Sequence, residues 1–131
     1  MTLRPFRAAL PYWALVMALG LVLGTLRVLW LVPRVGEVAA VALELPVMLA
    51  ASWLAARRIT LLYGIRAAPE ALVMGAAAFV LVLLAELALA WGLSAQVPLA
   101  WARSLTTPPG ALGLAGQALF ALMPLLARRQ G

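Results

Sequence analysis

The sequence predicts an all-α membrane protein, a bundle of four transmembrane helices with its N- and C-termini in the cytoplasm. Three observations carry that expectation. Of the 131 residues, 66% are hydrophobic and the mean hydropathy is +1.07, far above the range of soluble domains. The apolar residues fall into four runs, each close to the ~20 residues a helix needs to cross a bilayer. The arginines cluster on one side of those runs, as the positive-inside rule requires. Residues 1–131 are read as a single integral membrane domain.

The first run covers residues 8–32. It is longer than the ~7–15-residue apolar core of a secretory signal, and no small-x-small cleavage pattern follows it, so it is read as a span. Pro33 and Gly36 then bracket a tight turn into the second run, 36–56, making the pair an antiparallel hairpin. Within the second run Pro46 has no N–H to donate, which frees the carbonyl of Ala42 and predicts a kink. Arg27 or Thr25 on the facing helix, a water or a bound ion could satisfy that carbonyl. Pro69 and Glu70 suit the first turn of the third run, 71–93. A long linker, SAQVPLAWARSLTTPPG, contains PLAWARS, which predicts a short helix on the membrane surface. The fourth run covers 110–127.

Orientation follows from counting charge. Arg4, Arg7, Arg57, Arg58, Arg66, Arg128 and Arg129 fall on the side of the termini, against Arg34 and Arg103 on the other. Termini-inside is the orientation that satisfies this bias. Tyr12, Trp13, Trp53 and Tyr63 would then form the inner aromatic belt, with Trp30, Trp91 and Trp101 in the outer one.

Composition excludes more than it includes. All ten basic residues are Arg, all four acids are Glu, and Lys, Asp, His, Cys and Asn are absent. Disulfides and thiol redox pairs are therefore ruled out, as are ordinary His or Cys zinc sites and Ser-His-Asp chemistry. No cofactor or metal is expected, and catalysis is the least supported function class. The net charge of +6 is scattered over membrane-flanking positions, which argues against nucleic acid and for a lipid bilayer as the principal partner. Arg, Ala, Gly and Pro in place of Lys and Asn suggest a GC-rich bacterial genome, hence the inner membrane.

The informative residues are the ionisable ones inside the spans. Depth follows from the ~1.5 Å rise per helical residue. Arg27, six residues before Pro33, lies roughly 9 Å below the outer turn. Glu44, eight after Gly36, lies roughly 12 Å below it. Glu86, seven before Leu93, and Gln117, seven after Gly110, both come to about 10 Å. Each span thus contributes one polar residue to a single layer in the outer half, with Glu37 above it. Positions seven apart differ by only about 20° around a helix, so each polar residue shares a stripe with small residues. Those stripes are Gly20, Gly24 and Arg27; Glu37, Glu44, Ala51 and Ala55; Gly75, Phe79, Glu86 and Ala90; Gly110, Gly113, Gln117, Ala121 and Pro124. Gly20 and Gly24 form a GxxxG pattern expected to bring helices close.

One Arg and two Glu leave a formal excess of one negative charge at depth, unless a carboxyl holds a proton or Arg34 bends inward to Glu37. The leading expectation is an accessory or assembly protein whose polar layer fixes helix register, as a homo-oligomer or beside a membrane-protein partner. The alternative is a proton- or cation-coupled transporter or channel element that uses Glu44 and Glu86. No family pattern is adopted: Arg27 stands in the span where small multidrug transporters carry their Glu, and the Asn and His of the eicosanoid and glutathione membrane enzymes are absent.

Overall fold

A computed structural model describes residues 3–94 and 98–128. Arg129, and the side chain of Trp101, lie outside what it describes. Among the described residues all regular structure is helical. Four helices are long and apolar enough to cross a membrane: α1 (Arg4–Val35), α2 (Glu37–Tyr63), α3 (Ala68–Ser94) and α5 (Pro108–Ala127). The short α4 (Pro98–Ser104) sits in the linker and coincides with PLAWARS.

The hairpin is tighter than its two turn residues predict. Pro33 lies inside α1, and Gly36 alone breaks the helix, at φ 84° and ψ 166°. The proline is accommodated by a π-helical turn over Arg27–Leu31, in which the Val32 N–H bonds to the carbonyl of Arg27. A proline ring presses on the carbonyl one turn back, here that of Leu29, and a widened turn gives it room. At the opposite end α2 runs through Arg57 and Arg58 to Tyr63, seven residues beyond the expected limit of 56. Charge does not stop a helix. Gly64 does, in the left-handed conformation at φ 67°, with its N–H on Leu61 O and the Ile65 N–H on Thr60 O, a Schellman closure.

α1 packs against α2 and α3, and α5 packs against the same two helices. The helices therefore run around the bundle in the order α1, α2, α5, α3, with α1 and α5 at opposite corners. α3 and α5 approach closely at Gly75, where an added Cβ would run into the backbone carbonyl of Ala121. The core occupies the half of the bundle nearest the termini: Ala8, Tyr12 and Val16 of α1, Ala56 and Ile59 of α2, Met74 and Ala78 of α3, and Phe120 of α5. Arginines tie that end together. Arg4 Nη1 donates to Gly64 O (3.3 Å), Arg57 Nη1 to Ala127 O (3.4 Å) and Arg128 Nε to Arg66 O (2.9 Å). Both described chain ends and the α2–α3 turn thus share one end of the bundle. The outer surface is rich in Leu and Val, with Leu29 72% and Leu62 80% exposed. In water that would be a severe liability, whereas in hydrocarbon it is the ordinary finish of a helix.

Two aromatic and basic residues sit elsewhere than the sequence suggests. Tyr12 is not in an interfacial belt but fully buried. Its ring stacks on Phe120 at 4.6 Å and 12°, and its hydroxyl donates to Phe120 O at 2.5 Å. The reason is local: Pro124, four residues further on, has no N–H for that carbonyl. Arg34 does not bend towards Glu37. Its Nη1 donates to Trp30 O (2.9 Å) and its guanidinium lies 4.6 Å from the centre of the Trp30 ring.

Candidate functional site

The polar residues of the four long helices meet as two pairs. Arg27 is the first residue of the widened turn, and Glu44 faces it two turns into α2. Arg27 Nη1 approaches Glu44 Oε2 to 2.9 Å, with the side chains 31% and 12% exposed. The contact is ionic without being aligned as a hydrogen bond, so Glu44 Oε2 is buried with no hydrogen-bond donor. Opposite, Gln117 Nε2 of α5 donates to Glu86 Oε1 of α3. The amide oxygen of Gln117 is buried and has no partner.

Both pairs line one cavity of about 710 Å³ in the half of the bundle remote from the termini. Its walls are apolar, including Val16, Met48, Val82 and Leu89, and Phe120 lies at its inner end. Arg27, Glu86 and Gln117 also line a second cavity of about 380 Å³, together with Glu37, Ser104 and Thr107. Arg27, Glu86 and Gln117 are therefore shared by an apolar chamber, open to the side past Leu21, Val28 and Leu29 of α1, and an outer vestibule. Glu37 is exposed and stands in the vestibule, not in the layer itself.

The structure gives the GxxxG glycines a different role from close packing. A Cβ added at Gly20 would meet only Met48 Cε, at 3.5 Å, and one added at Gly24 only Arg27 Nη2, at 3.8 Å. Both glycines line the chamber. Side chains there would occupy the chamber instead of separating two helices. Pro46 lies within the continuous α2. Thr25 does not serve the Ala42 carbonyl, because its hydroxyl donates to Leu21 O at 2.7 Å within its own helix. Arg27 is engaged with Glu44.

Two lining residues were not picked out from the sequence. Ser52 is buried and donates to Met48 O at 2.7 Å, an intrahelical bond that gives no sequence signal. Phe120 did carry one, since it lies three residues after Gln117, hence near the same face, and four before Pro124. Among the described residues, no three or more His, Cys, Asp or Glu side chains group in a way that would hold a metal. The chain matches no known protein family, and no curated protein or solved structure shows significant similarity to it.

Proposed function

We propose that this chain is a bacterial inner-membrane protein that handles protons or a small cation in the chamber, as a transporter or channel element. The carrying observation is that Arg27, Glu44, Glu86 and Gln117 line a cavity of about 710 Å³, within the usual ~300–1,000 Å³ range of small-molecule sites. A layer that only fixed helix register would be expected to pack against side chains on both sides. Here Arg27, Glu86 and Gln117 line two cavities. The accessory role expected from the sequence rests on the same residues, and the cavity is where the two readings part.

The termini end faces the cytoplasm in this reading, supported by the excess of Arg there. The vestibule with Glu37 then opens to the opposite side. One guanidinium balances one carboxylate, and the second carboxyl carries either a proton or the transported cation. Reconstitution into vesicles with an internal pH dye tests the reading. An imposed cation gradient should drive proton movement in the parent protein, and Glu86→Gln should abolish it while preserving a monodisperse, helical protein. A parent protein that moves neither protons nor cations removes this function. A defined complex with another membrane protein after mild extraction would favour the accessory role instead.

A further inference from the structure

The chemistry of the layer narrows what the chamber accepts, and this narrowing rests on the reading of the chamber as a solute site. The layer is one charge short of neutral, with Arg27 set against Glu44 and Glu86, so its complement is a monocation. Gln117 Oε1 is a buried acceptor with no partner, and Glu44 Oε2, though ion-paired with Arg27, receives no aligned hydrogen bond. Such oxygens can meet either N–H donors or a bare hard cation. The mostly apolar lining offers too few further oxygens to complete the ~6–8 ligands of a dehydrated metal ion, which favours a cation bearing its own N–H donors and disfavours a quaternary ammonium. Below the layer the walls are hydrocarbon, so the body behind the charge is apolar. We propose that the chamber binds a primary ammonium ion with an apolar tail, its N–H groups on Glu86, Gln117 and Glu44 and its tail over Val16, Met48 and Val82. Glu37 in the vestibule adds a carboxylate on the way in, and Arg34 is turned away onto Trp30. A free amine and an ethanolamine lipid headgroup share this chemistry.

The test compares four probes with one tail: 4-phenylbutylammonium, its trimethylammonium analogue, 4-phenylbutanol and 4-phenylbutanoate. Calorimetry uses the full chain in phosphatidylcholine nanodiscs. Gly113→Leu provides the reference for partition into lipid, because Gly113 lines the chamber and no atom lies within 4 Å of an added Cβ. The expected result is saturable binding of the primary amine, absent in Gly113→Leu and at least about tenfold tighter than any other probe. Glu86→Gln should weaken it by a similar factor. If that variant does not fold, the probe series on the parent protein still decides. Displacement of the amine by added phosphatidylethanolamine identifies the lipid as the source of the ammonium, and no displacement identifies a free amine. Alcohol or carboxylate binding as tight as the amine, and lost in Gly113→Leu, overturns the ammonium class and leaves the chamber a solute site. No difference between parent and Gly113→Leu for any probe overturns both.

Discussion

The bond between Tyr12 and Phe120 repairs a specific defect. In hydrocarbon an unpaired carbonyl is costly, and Pro124 creates one at Phe120. Tyr12→Phe should therefore destabilise the bundle by about 1 kcal/mol, read by reversible unfolding in mixed micelles. Pro124→Ala returns an N–H to the Phe120 carbonyl, so in that background the effect of Tyr12→Phe should shrink towards zero. Equal effects in both backgrounds would remove the explanation. The ion pair obeys a different rule. Arg27→Gln leaves Glu44 without its partner and should cost on the order of 2 kcal/mol, below the ~3–5 of a fully buried pair because Arg27 is 31% exposed. Replacing both partners, as Arg27→Met with Glu44→Leu, should recover most of that loss.

At the scale of helices, glycines with the same sequence appearance play opposite parts. Gly75→Ala drives a methyl group into the Ala121 carbonyl and should force α3 from α5, at about 1–3 kcal/mol in the same unfolding assay. Gly113→Ala meets nothing and should be neutral or slightly stabilising. Nothing in the sequence separates these two cases, because small-residue spacing records where a helix could approach, not whether a partner arrives. The spans themselves were legible, since their apolar length is a local property. Their ends were less so: α2 passes Arg57 and Arg58 because only a backbone signal, Gly64, terminates it. The π turn was hidden for a related reason. Pro33 reads as a breaker, yet a single widened turn lets α1 carry it and end two residues later, at Val35.

For the molecule as a whole, orientation can be tested cleanly because the sequence has no Cys. A membrane-impermeant maleimide should label Thr106→Cys, beyond α4, in cells with a permeabilised outer envelope. Ala67→Cys, in the α2–α3 turn, should react only after lysis. The reverse pattern would invert the assignment. Counting residues from the turns was enough to put Arg27, Glu44, Glu86 and Gln117 at one level, because helical rise is nearly constant. The order of helices around the bundle was not legible. All four are apolar on every side, so hydrophobic pattern cannot say which neighbours which. That order pairs Arg27 with Glu44 and Glu86 with Gln117, and it surrounds them with volume that no residue count reveals.

The link between Tyr12 and Phe120 spans 108 positions of the chain, and it sets a timetable for biogenesis. A ribosome releases the donor in α1 long before it makes the acceptor in α5. Until then α1, α2 and α3 can associate in the bilayer, but the tyrosine has no carbonyl to hold at that corner. When α5 enters, the Phe120 carbonyl that Pro124 leaves free meets the Tyr12 hydroxyl. Arrival of α5 and closure of this corner of the bundle are thus coupled through one hydrogen bond, which a chain without α5 lacks.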